Sequence, residues 1–309
     1  MNFAAFSIFA SLLTTEIMGS VLLLLFWDAA KSKVLTYVVP IWEVTGTFGA
    51  FWVVTGDFAF PALLVPVAAI FGALLSVFLI LFVARNSSIV FAEFITKRKW
   101  LDEKKLYQLY SLSTLLLGVL VLVLMSALVS GQGVDLKAGT FSLAEWVYSP
   151  GSLPFITGAL LIGIGLAPVF YSLSPFRKLV LPMTAVGILV SVLSIYLYSP
   201  SLISSWVVVP MLLTLATASL YLTQRTDKIV SNKGVFIGLL SVITFSLQFL
   251  IYPSVLGRAV SFDSVTTTGP LASAYLTITL IGTPLLIIML AFYMTIAMRG
   301  RERGDRMKV

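Results

Sequence analysis

The chain has 309 residues, of which 59% are hydrophobic and 11% charged, with a formal net charge of +7 and a mean hydropathy of +1.04; this composition excludes a soluble globular domain and indicates a polytopic membrane protein. Cysteine and histidine are both absent, which excludes disulfides, thiolate metal sites, cysteine-ligated clusters and histidine-ligated haem on this chain, and also any histidine-based catalytic triad. No metal cofactor is expected on its own ligands.

A bilayer core about 30 Å thick needs roughly 20 apolar helical residues. Nine stretches meet that length, at approximately 3–27, 34–56, 61–84, 106–130, 153–174, 178–198, 203–223, 234–254 and 273–298. The fold class expected is therefore an all-α integral membrane protein, with nine transmembrane helices arranged as two four-helix bundles plus one helix. Residues 1–130 form the first bundle, 131–152 an outside connection and 153–254 the second bundle. Residues 255–309 supply an outside loop, the ninth helix and a basic cytoplasmic tail.

The first run, Phe3 to Trp27, reads as a retained span rather than a signal peptide, because it lacks a basic leading segment and contains Glu16. The second contains Pro40-Ile41-Trp42-Glu43, a second carboxyl within an apolar run. A carboxyl at membrane depth costs about 3 kcal/mol on insertion scales, so two in one hairpin need a reason. Counted from the helix ends at 1.5 Å per residue, both lie roughly 15 Å from the inside surface. Antiparallel neighbours would let them face each other or line one seam, and at least one is then expected to be neutral, since like charges in a low dielectric do not both ionise cheaply. Thr14, Thr15, Thr45 and Thr47 are the hydroxyl neighbours. Two roles fit the pair, a proton path and a hydrogen-bonded packing contact. Pro40 is expected to kink the second helix, and Gly46, Gly49 and Ala50 to admit a close neighbour. Trp42 reads as a packing or partner-contact residue, and Asp57 as a solvated cap.

The connection from Asn86 to Lys105 mixes large apolar residues with a basic cluster and reads as interfacial, either a surface helix or a docking strip. Between Gly131 and Ser152, the segment Phe141 to Tyr148 reads as a short amphipathic helix ended by Ser149-Pro150-Gly151. Gly158, Gly163 and Gly165 read as close-packing sites, and the nine methionines as core filling. Alternate connections and the C-terminus hold 18 of the 20 basic residues. That asymmetry puts the N-terminus outside and the C-terminus inside, and explains the net charge without a nucleic acid partner.

The first hairpin resembles subunit II of the cytochrome bd type quinol oxidases. In that family a Thr-Asp pair in the first helix is followed by a Pro-x-Trp-Asp element opening the second. Thr15-Glu16 and Pro40-Ile41-Trp42-Glu43 are similar to these, and Gly46, Phe48, Trp52 and Phe60-Pro61 follow in a similar order. The match covers roughly residues 10–130. It departs in having glutamates for both aspartates, Ile17-Met18-Gly19 where the family continues Gly-Phe-Asp-x-Gly, and Val44 in place of a glycine. The resemblance implies a divergent, haem-free subunit in the cell membrane, not catalytic alone. It also implies a haem-bearing subunit I as partner, carrying haems b and d and the quinol site, with a structural quinone or lipid as a further component. A proton route through Glu16 and Glu43 with Thr15 and Thr47 is implied as well, with Pro40, Trp42 and Gly46 packing on the subunit or haem side. The residues alone leave room for a proton-coupled secondary transporter, against which the charge-free second half argues. A quinone-binding anchor of a molybdenum or iron–sulfur reductase shares the size but not the Pro-x-Trp-acid element.

Overall fold

The computed structural model describes residues 2–95, 102–198, 205–223, 232–251, 254–256, 258–259 and 266–306. Eleven α-helices dominate it: α1 (Asn2–Leu25), α2 (Trp27–Ala59), α3 (Pro61–Ile70), α4 (Gly72–Phe94), α5 (Glu103–Ser130), α6 (Leu143–Tyr148), α7 (Ser152–Phe170), α8 (Arg177–Tyr198), α9 (Ser205–Leu222), α10 (Lys233–Ile251) and α11 (Pro270–Arg306). Among the described residues seven helices are long and apolar enough to cross a membrane, namely α1, α2, α4, α5, α7, α8 and the Pro270–Thr295 part of α11. The apolar stretches Pro61–Ile70, Val208–Leu222 and Lys233–Gln248 are shorter. The protein is thus an all-α, multi-pass membrane protein.

α1 is the central helix, packing against α2, α5, α7 and α10. Its buried residues include a row of small polar side chains, Ser7, Ser11, Thr15 and Ser20, together with Glu16. The Ser7, Ser11 and Thr15 hydroxyls each bond a carbonyl three or four residues back, at 2.7 Å, which satisfies them inside the helix. The same row also reaches α10, where Gln248 Nε2 donates to Ser7 Oγ at 2.7 Å and Ser241 to Ser11 at 3.1 Å. Such bonds hold helices together where there is no water to drive association. One apolar core runs from α1 and α2 through Ile89, Tyr107 and Tyr110 to Val169, Phe170, Tyr171 and Phe236. A smaller cluster of Val67, Phe71, Val123, Ala127 and Trp146 lies at the other end of α5.

Several boundaries differ from the expected ones. α1 and α2 are separated by Phe26 alone, so residues 28–33 extend the second helix instead of forming a loop. The third span is interrupted at Phe71 and continues to Phe94, which moves 86–94 out of the expected interfacial connection and into a helix. Hydropathy drops at Asn86-Ser87-Ser88, but the helix carries through because these groups are satisfied locally. Asn86 Oδ1 accepts from Arg85 at 2.8 Å, Ser88 donates to the Ala84 carbonyl at 2.6 Å, and Ile89 and Ala92 are buried. Lys97, Arg98, Lys99, Trp100 and Leu101 lie outside the described residues. Between α5 and α7, a hairpin of β1 (Val134–Asp135) and β2 (Thr140–Phe141) precedes α6, and Ser142 caps α6 as the Phe141–Tyr148 pattern suggests. Gly133 has φ +73°, and a Cβ there would meet the Ser142 carbonyl at 2.7 Å, so only glycine fits.

Candidate functional site

Glu16 is fully buried in α1, and its carboxylate is ringed by donors from three other helices. Thr45 of α2 donates to Oε1. Arg85 of α4 forms an ion pair with Oε2, and Tyr110 of α5 donates to that same oxygen at 2.7 Å. Arg85 is itself buried, and its guanidinium lies 5.3 Å from the centre of the Tyr110 ring. A buried carboxylate alone would be strongly unfavourable, and a guanidinium with two hydroxyls is the kind of shell that makes it tolerable.

Thr15 stands beside this cluster and connects it to a second one. Its hydroxyl lies 2.9 Å from the Tyr37 hydroxyl, and its carbonyl accepts from Tyr171 at 2.8 Å. The Tyr37, Phe170 and Tyr171 rings surround the Lys233 ammonium at 5.0, 4.5 and 5.0 Å from their centres, a cation–π arrangement suited to a desolvated charge. Hydroxyls and charges therefore run from Lys233 through Tyr37 and Tyr171 to Thr15, next in sequence to Glu16.

Glu43 is placed differently from the expectation. α2 buries Tyr37, Val38, Ile41, Val44, Thr45 and Phe48, and Glu43 lies on the opposite, exposed face with Thr47 and Ala50. The two carboxyls are near one level, since Thr45, two residues on from Glu43, bonds Glu16, yet they do not face each other. The like-charge argument for a neutral acid accordingly has no pair to act on, and Glu16 is paired with a cation instead. Thr47 donates to the Glu43 carbonyl at 2.9 Å and Thr14 to the Ala10 carbonyl at 2.7 Å, so neither hydroxyl serves Glu16. Pro40 is half-buried within a continuous α2. Trp42 is half-buried and its carbonyl lies 3.5 Å from Arg85 Nη2. Gly46 lines a small apolar cleft with Phe9, Leu13, Thr45, Phe78, Phe82, Arg85 and Leu117.

Arg85 and Tyr110 were not among the residues expected at the site. The expected third span ends at residue 84, which leaves Arg85 outside it. The signal against that is the apolar Ile89-Val90-Phe91-Ala92 stretch, which keeps Arg85 inside a helix. Tyr110 belongs to a row of polar residues at helical spacing in α5 with Tyr107, Ser111 and Thr114, all buried.

The chain is similar in fold to the structure of bd oxidase from Geobacillus thermodenitrificans, with a TM-score of 0.67 and 16% sequence identity, covering 95% of this chain and 96% of that one. No family model matches the chain, and no curated protein sequence matches it. At that identity the likeness concerns the fold, and function has to be argued from the site.

Proposed function

We propose that this chain is a haem-free integral subunit of a bd-type quinol oxidase, packing against a haem-bearing subunit I and contributing a proton path from the cytoplasm for oxygen reduction. Support comes first from the near-complete overlap in length and fold with a chain of a bd oxidase. The observation that carries the proton path is the buried Glu16 cluster, with its hydroxyl neighbours, at the Thr-acid element of the first helix. In this reading the complex lies in the cell membrane with nine spans in this chain, N-terminus outside and C-terminus inside, as the distribution of basic residues favours. Haems b and d and the quinol site reside in the partner.

Glu43 supplies the connection to that partner. An exposed carboxyl in the middle of an apolar helix is costly next to lipid, about 3 kcal/mol at the membrane centre. Covering the Glu43–Thr47 face with a second membrane subunit that offers a hydrogen-bond donor removes that cost. The proton path then has one acid inside this chain, Glu16, and one at its junction with the partner, Glu43. Replacing Glu43 by Gln keeps the shape and removes the acid. The variant is expected to assemble with full haem content while oxygen reduction by quinol falls steeply, by roughly 100-fold at the lower end of what a positioned proton-transfer group contributes. Unchanged turnover in Glu43→Gln removes Glu43 from the path.

A further inference from the structure

The cluster at Glu16 is sealed from solvent, so a proton path through it needs an entrance. We propose that Glu93 is that entrance and that Tyr107, with water held by Ser20 and Ser111, carries the proton from it to Glu16; this rests on the proton-path reading above. Glu93 lies one residue from the end of α4 and is exposed. The hydroxyl of the fully buried Tyr107 donates to its carboxylate. An exposed acid bonded to a buried phenol joins solvent to the interior in one step.

From Tyr107 the path inward follows helical spacing. Tyr110 comes three residues later in α5 and Ser111 four, which sets both on the flank of the helix that carries Tyr107. Tyr110 already bonds Glu16 at 2.7 Å. The Ser111 hydroxyl is buried and has no partner among the described residues, and the same is true of Ser20, one turn from Glu16 towards the α2 end of α1. α1 and α5 pack together. Ser111 is one turn on from Tyr107 in α5 and Ser20 one turn from Glu16 in α1, and two buried hydroxyls so spaced on packed helices suit one or two ordered waters, which need polar partners of this kind. The surroundings of the entrance are in keeping with that use. Trp27 packs on the Tyr107 ring at 6.1 Å between centres, and Lys31 pairs with Glu103 at 3.1 Å, so this end of the helices is a polar rim over an aromatic seal.

The transfer is a sequence of proton exchanges. Solvent protonates the Glu93 carboxylate, and that acid donates to the Tyr107 oxygen as the Tyr107 hydroxyl proton passes to water. The water passes a proton on to the Glu16 carboxylate, and Tyr107 ends as a neutral phenol. Arg85 and Thr45 hold Glu16 in position throughout.

The test uses the assembled oxidase, with turnover normalised to haem content. Glu16→Gln, Glu93→Gln, Glu93→Asp and Tyr107→Phe are compared for oxygen consumption, for its ratio in H2O and D2O, and for rescue by added formate. The proposal expects Glu93→Gln and Tyr107→Phe to slow turnover about 100-fold, with a larger solvent isotope effect. Formate is expected to rescue Glu93→Gln, because that position is open to solvent, and Glu93→Asp to retain most of the rate. A purely structural Glu93 would give no formate rescue and no change in isotope effect, which overturns the proposal. Slow Glu16→Gln beside full turnover in Glu93→Gln also overturns it, while leaving Glu16 on the path. Full turnover in Glu16→Gln overturns the proton-path reading, and the entrance with it. Because Glu93 is exposed, its variants keep the test decisive even if Tyr107→Phe fails to assemble.

Discussion

Arg85 is the residue on which the buried site depends. It neutralises Glu16 where water cannot, and the Tyr110 ring faces its guanidinium. Removing one member of a buried ion pair leaves the other uncompensated, a loss of about 3–5 kcal/mol. Arg85→Ala is therefore expected to lower the thermal unfolding temperature of the protein in detergent markedly. The double variant Arg85→Ala with Glu16→Gln is expected to recover much of that loss, since no unpaired charge remains. Additive losses in the double variant would show that the two side chains do not act as a pair. Glu43 is the opposite case. Its side chain bonds no other side chain among the described residues, so Glu43→Gln is expected to leave the chain's own unfolding temperature unchanged while altering turnover in the complex.

Among the helices, α7 and α8 form the tightest contact. A Cβ on Gly187 would meet the Ile162 backbone nitrogen at 2.8 Å and the Gly158 carbonyl at 2.9 Å, and one on Gly158 would meet the Ser191 backbone nitrogen at 2.8 Å. Backbone atoms cannot step aside as a side-chain tip can, so Gly187→Val forces the helices apart and is expected to destabilise by about 1–3 kcal/mol. Thermal unfolding of that variant against Gly163→Val is the check, because Gly163 has open space around it. Of Gly158, Gly163 and Gly165, which the sequence marks as packing sites, Gly158 and Gly165 are so used, and Gly163 is not. The helices themselves were legible because unbroken apolar length is a strong signal. Their ends were not, and the reason is visible at two places. Asn86 and Ser88 find partners within α4, and Lys31 and Lys33 of α2 reach Glu103 and the Ser172 carbonyl, so loss of hydropathy there does not mean loss of structure. Which face Glu43 occupies was also beyond the sequence, because α2 is apolar on nearly all sides and periodicity gives no direction. The ion pair of Glu16 with Arg85 joins residues 69 positions apart, and no local pattern reports such a contact.

At the scale of the whole molecule, α1 binds the first helices to the later ones, and one apolar core spans both groups. The outward faces remain strongly apolar, as on α4 and α11, which suits lipid and a membrane partner alike. Set in such a surface, Glu43 is the exposed carboxyl that the proposed function places against a partner subunit. The chain carries neither histidine nor cysteine, so the proposed function requires the haems to be held by a partner. Purification through a tag on this chain, with an absorption spectrum and identification of each co-purifying subunit, tests this most directly. The proposed function predicts a histidine-bearing membrane subunit in equal amount, with absorption bands of b- and d-type haem that vanish when this chain is deleted. A chain that purifies alone, with no haem absorption, from cells that make such a subunit would contradict it.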